Sequence, residues 1–139
     1  MPDRCTYDYA IVRVVPRVER GEFVNVGAIV SSDAEGYLAA RFAFDEARLL
    51  ALDPNVDVKA VRTGLDAIAA VCAGGAAAGA IGRLPLRERF HWLVAPRSTI
   101  IQTSAVHTGR CVELADVLGR LLEKMVIPLA PSSPSPPSP

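Results

Sequence analysis

The chain has 139 residues, half of them hydrophobic, which is enough for one domain with one core and too few for two ordinary ones. Fifteen basic and fifteen acidic residues cancel, so no net positive field recruits nucleic acid or an anionic membrane surface. All basic residues but Lys59 and Lys124 are Arg; with the many Ala, this reflects GC-rich coding rather than an adaptation to nucleic acid.

The start, Met1-Pro2-Asp3-Arg4, lacks the charged and apolar regions of a signal peptide. Residues 7–15 are rich in β-branched and aromatic side chains and end at Pro16, the pattern of a strand. Apolar residues fall on both of its faces, which predicts a central, covered position. A charged connection, 16–21, leads to a second strand over 22–30. There Val24, Val26, Ala28 and Val30 line one face, and Phe23, Asn25, Gly27 and Ile29 the other. A polar turn, 31–36, joins it to a third strand over 37–44, forming a hairpin.

Asp45 is placed to cap a short helix, 46–52, stopped by Pro54. A longer helix follows over 57–73, with Val58, Val61, Leu65, Ile68 and Cys72 recurring at spacings of three and four. Gly74-Gly75 terminates it. The stretch 67–81 is weakly polar but broken by glycines, so it is a poor membrane span. Residues 76–82 read as a flexible loop. Pro85 suits the first turn of a helix reaching Leu93, with Leu86, Phe90 and Leu93 inward and His91 on its wet side. A short fourth strand over 99–103 follows, then an amphipathic helix over 112–125. The expected organisation is one α+β domain over 1–128: a small, mainly antiparallel sheet of three or four strands with an N-terminal hairpin, covered by two or three helices. Residues 129–139, nearly all Pro and Ser, read as a disordered tail.

Cys5, Cys72 and Cys111 are odd in number and far apart in sequence. No Cys/His spacing suggests zinc, so three reduced thiols of a cytoplasmic protein are expected. No phosphate-binding glycine loop, dinucleotide fingerprint or nucleophile elbow is present, and no cofactor or metal is expected.

Three segments carry candidate site residues. In the first, Arg20, Glu22, Asn25 and Gly27 stand where a plain strand would carry Val or Thr. Gly27 makes room for a neighbour or a ligand, and Phe42 across the hairpin is the expected neighbour. Asn25 must find partners for its amide, in the protein or in a ligand. In the second, Arg97, Ser98, Thr99 and Gln102 follow Pro96 and offer a guanidinium, hydroxyls and backbone N–H groups suited to an anion. In the third, His107 is either a proton-transfer group or a loop residue that caps the next helix.

Several separated motifs together resemble a bacterial family, the domain of unknown function 3037. They are Tyr7-x-Tyr9-x-Ile11-Val12-Arg13-x-Val15-Pro16, Arg20-Gly21-Glu22-x-x-Asn25-Val26-Gly27, Arg41-Phe42, Phe90-x-Trp92-Leu93-x-Ala95-Pro96-Arg97-Ser98-Thr99, and His107-Thr108-Gly109. This chain departs from the pattern in having Leu84-Pro85-Leu86 where a Ser-led helix cap is expected. The resemblance implies no activity. It implies an association with a HipA-like serine/threonine kinase, beside which members are often encoded. The favoured expectation is therefore a binding or accessory module acting with a protein partner such as that kinase, or dimerising. The alternative is an enzyme or sensor that holds a phosphorylated small molecule through Arg20, Asn25, Arg97, Ser98 and Thr99, with Glu22 or His107 moving protons. That alternative requires the segments 20–27 and 97–102 to converge.

Overall fold

In the computed structural model, which describes residues 4–97 and 99–129, the chain forms an antiparallel sheet with helices on both faces. The strands are β1 (Cys5–Val14), β2 (Val24–Ser32), β3 (Tyr37–Phe42), β4 (Ile101–Thr103) and β5 (His107–Cys111). The helices are α1 (Glu46–Leu52), α2 (Val58–Ala73), α3 (Leu86–Val94) and α4 (Val117–Met125). The expected Pro/Ser tail lies outside the described residues except for Leu129.

The sheet order is β3-β2-β1-β4, with β5 also paired to β1. β1 is therefore central, as its two-sided apolar pattern predicts: Val12 and Val14 are fully buried on one face and Ile11 is buried on the other. β4 pairs with its C-terminal half and β5 with its N-terminal half, on the edge away from β2. Both run along that edge in nearly one line, separated by Ser104-Ala105-Val106. Three residues there face two on β1, since Val12 is opposite Thr103 and Tyr9 opposite His107. Ser104 spans this bulge: its N–H donates to the Ile11 carbonyl at 2.8 Å, and its Oγ accepts from the Ile11 N–H at 2.9 Å. A hydroxyl thus replaces the carbonyl that a regular ladder would supply.

β5 is the element that the sequence reading misses. It takes 107–109 for a loop, whereas the structure places His107 at the start of a strand opposite Tyr9. The next helical turn is capped by Glu113, whose carboxylate accepts from the Ala115 N–H. The 76–82 stretch also differs from the expected flexible loop. It folds into two 3-10 turns, Ala76–Ala78 and Ile81–Arg83, closed by Gly75 N–H donating to Gly82 O at 2.8 Å.

Two apolar cores flank the sheet. On one face, Val12, Val14, Val24, Val26 and Ile29 pack with Leu49 of α1, with Val61, Leu65, Ile68, Val71 and Cys72 of α2, and with Phe90 and Leu93 of α3. On the other, Ile11, Ala28 and Val30 pack with Val117, Leu118, Leu121 and Leu122 of α4. Asp45 caps α1 as the sequence predicts, accepting from Arg48 N–H; Asp57, expected as the first residue of the next helix, is instead its cap and accepts from Ala60 N–H. Arg89 ties α3 to the end of α2 by donating to the Leu84, Val71 and Cys72 carbonyls at 3.0, 2.8 and 2.8 Å. These include carbonyls that a helix C-terminus leaves unpaired.

A second bulge changes the predicted faces of β2. Val12 is opposite Gly27 but Arg13 is opposite Asn25, so Val26 is the extra residue. Val24, Val26 and Ile29 consequently share the first core, while Ala28 and Val30 join the second. Asn25 and Gly27 do not share a face, contrary to simple alternation. Gly27 is opposite Phe42, and a Cβ added to it would meet the Phe42 ring at 2.3 Å and the Arg41 carbonyl oxygen at 2.7 Å. Close packing with Phe42 is the reason for that glycine.

Gly27→Ala is expected to destabilise the fold by about 1–3 kcal/mol, the usual cost of overpacking. Adding Phe42→Leu should recover only part of it, because the backbone oxygen stays. Urea unfolding of the single and double variants measures both effects; a neutral Gly27→Ala would refute the packing account.

Candidate functional site

The connection from β1 to β2 begins with a 3-10 turn, Val18–Arg20, closed by Gly21 at φ 68°, a left-handed conformation that glycine adopts without strain. Arg17 reaches back to Asp53 at 3.2 Å. Asp53 is buried and also accepts from the Asn55 N–H at 2.9 Å. Arg20 pairs with Glu22. These groups line a groove of about 460 Å³ with Pro16, Leu52, Pro54 and Asn55. Its two guanidinium groups face two carboxylates, so the groove is charge-compensated from within. Asp53 is absent from the sequence-derived candidates; its only signal is the turn-forming Asp-Pro-Asn run.

Arg97 lies elsewhere. Its guanidinium donates to the Leu93 carbonyl at 3.2 Å and to the Trp92 carbonyl, and it stacks on the Trp92 ring at 4.3 Å. It therefore serves the C-terminus of α3. Thr99 Oγ1 donates to Ile101 O, and Gln102 Nε2 donates to Thr99 O, both at 2.9 Å. Ser98 lies outside the described residues. Arg97 and Gln102 line a second groove of about 220 Å³ that shares no residue with the first. Among the described residues, β1 lies between the two segments: Arg13 is opposite Asn25 on one side and Gln102 on the other. That register puts the Cα atoms of Asn25 and Gln102 about 10 Å apart, two strand spacings.

The α4 face of the sheet holds a third group of polar residues. Asn25 Nδ2 donates to the Met125 carbonyl at 3.0 Å, and Arg48 Nη1 donates to Val126 O at 3.2 Å, so two side chains satisfy the end of α4. Arg13 stacks on the Phe23 ring at 4.2 Å, and Phe23 is 45% exposed. Arg13 Nε and Asn25 Oδ1 are closed to solvent without a partner among the described residues.

Further along β1, Tyr7 and Tyr9 form the floor of a groove of about 240 Å³ whose wall is one flank of α4: Val117, Arg120, Leu121, Lys124 and Met125. Arg110 also lines it, and no carboxylate does. The ion pairs among the described residues are Arg17–Asp53, Arg20–Glu22 and Arg62–Glu46, so these three cations have no acidic partner. Tyr9 stacks with His107 at 5.4 Å between ring centres, and His107 is exposed. The Tyr7 ring covers Gly109, where a Cβ would meet its Cζ at 2.5 Å. Burial first, then Cys111 and Tyr9, push the Tyr7 phenol up from 10.0. Arg120 and Lys124 were not legible as site residues, because their spacing on α4 reads as the solvated side of an amphipathic helix.

Apart from Tyr7, the residues that carry this geometry lie within one family match. The sequence matches Protein of unknown function (DUF3037) over residues 9–126. The chain belongs to the DUF3037 family. The DUF3037 match takes in the central strand from Tyr9 onward, both bulges and all four helices. No curated protein and no solved structure matches the chain. No helix among the described residues is long and apolar enough to cross a membrane.

Asn25→Ala is expected to cost about 1–2 kcal/mol, because it leaves the Met125 carbonyl without its donor. Thermal or urea unfolding without any ligand reads this directly. An unchanged stability would remove Asn25 from the structural role described here.

Proposed function

We propose that this DUF3037 protein is a binding module that docks a protein partner along the groove between β1 and α4. The observation that carries this reading is the pairing of a tyrosine floor with a wall bearing Arg110, Arg120 and Lys124 and no carboxylate. Tyr and Arg are among the residues enriched at binding hot spots. Uncompensated cations in a chain of zero net charge select an acidic segment of the partner. The volume, about 240 Å³, takes one or two side chains. Exposed Phe23 on Arg13 extends the same sheet face as a second anchor. The partner we propose is a HipA-like kinase, on the family resemblance alone.

The competing reading, a phosphorylated small molecule held by Arg20, Asn25, Arg97, Ser98 and Thr99, has less support. Arg20 is paired with Glu22, Arg97 serves the end of α3, and the two arginines line separate grooves.

Co-expression with a HipA-like kinase from the same genome, followed by size-exclusion chromatography, tests the proposal. The wild type is expected to co-elute with the kinase at micromolar concentration. Arg120→Glu/Lys124→Glu should weaken the complex by at least roughly tenfold, the scale of one or two charge contacts, whereas Arg17→Gln/Arg20→Gln should leave it intact. Two separate wild-type peaks, or loss of the complex only in the Arg17/Arg20 variant, would overturn it.

A further inference from the structure

Two of the three cysteines, separated by 106 positions in the chain, meet across the sheet. Cys5 at the start of β1 is directly opposite Cys111 at the end of β5. Their sulfurs are 2.8 Å apart, and the Cys5 thiol also lies 3.3 Å from the Cys111 carbonyl oxygen. Far apart in the sequence, the two thiols are brought together by the fold, and both are free. Directly opposed residues of an antiparallel pair have Cα atoms about 4.5–5.5 Å apart, inside the range that a disulfide spans without moving the backbone. No cluster of three or more His, Cys, Asp or Glu among the described residues is placed to hold a metal ion, so the pair does not belong to a ligand set there. Cys72 sits in the other core, among the residues of α2 and α3, and the sheet separates it from both.

We infer that Cys5 and Cys111 are a modification site, closing to an intramolecular disulfide when a small-molecule disulfide such as oxidised glutathione is the oxidant. Cys5 is the less buried of the two and meets the oxidant first. Its thiolate attacks one sulfur of the small disulfide, breaking that S–S bond and releasing one small thiolate. The Cys111 thiolate then attacks the Cys5 sulfur and releases the second. Two protein thiols lose their protons and two electrons, and the small disulfide is reduced to two thiols. Burial first, then the adjacent Cys5 thiol, push Cys111 up to about 11, so ring closure is slow at neutral pH and accelerates in alkali. The bond fastens the edge strand β5 to the central strand beside Tyr7, at the end of the groove described above. The inference rests on the thiol geometry and stands independently of the partner proposal.

The test incubates the full chain with oxidised glutathione at pH 8 and counts free thiols after denaturation. The expected count falls from three to one, the mass drops by two hydrogens, and peptide mapping finds Cys5 joined to Cys111. Cys72→Ser should lower the final count to zero. Cys5→Ser and Cys111→Ser should each lack the internal bridge. The bridged loop is long, so the oxidised protein should melt roughly 10 °C higher than the reduced one. Three persisting thiols, a bridge that includes Cys72, a bridge between two chains, or stable glutathione adducts in place of the internal bond would each overturn the inference.

Discussion

A central strand has two edges and two faces to satisfy, and the rest of this structure follows from how β1 satisfies them. β2 meets one edge; β4 and β5 share the other. Val12 and Val14 press into the core under α1, α2 and α3, while Ile11 presses into the core under α4. Backbone groups buried this way must be paired or they cost more than the packing returns. The Ser104 hydroxyl matters for that reason: it pairs the Ile11 N–H where the edge strand breaks register. The two faces of β1 are unequal. Three helices close the first. A single nine-residue helix covers part of the second, lying over β2 and β3.

The two bulges sit at positions where that inequality becomes chemistry. The bulge at Val26 turns Asn25 toward α4, where its amide holds the Met125 carbonyl, and leaves Gly27 under Phe42 on the opposite face. The bulge at 104–106 sets His107 against Tyr9, so two aromatic rings lie on the open half of the sheet. The central strand thus presents Tyr7, Tyr9 and Arg13 on the less covered side. α4 adds Arg120 and Lys124 from its flank. By contrast, Arg20 and Arg97, the arginines that stand out in the linear sequence, are occupied by Glu22 and by the end of α3, and Arg17 beside them is occupied by Asp53.

Much of the α+β architecture was legible in the sequence, because local rules govern it. The Asp45 helix cap, the 3.6-residue period of α2 and α4, and the apolar run of β1 each act within a few residues. The hairpin of β2 and β3 follows from one polar turn. β5 was not legible: His107-Thr108-Gly109-Arg110-Cys111 has little β-branched or aromatic character, and it is a strand because β1 offers it an open edge. The Val26 bulge was hidden for another reason. Val24, Val26, Ala28 and Val30 keep a perfect period of two through a register shift that moves half of them to the other face. The thiol pair and the Arg89 clamp are long-range contacts that no spacing announces. Of the candidate site, Asn25 and Gly27 were found as residues, but the face each occupies depends on the bulge.

We propose that a partner is recognised by the less covered face of β1, beside α4. Methyl chemical-shift mapping of the chain during titration with a HipA-like kinase tests it most directly. Shifts are expected at Val117, Leu121 and Met125, while Val61, Leu65 and Ile68 of α2 stay in place. Shifts confined to the methyls of Leu52 and Val94, beside the other two grooves, would contradict it.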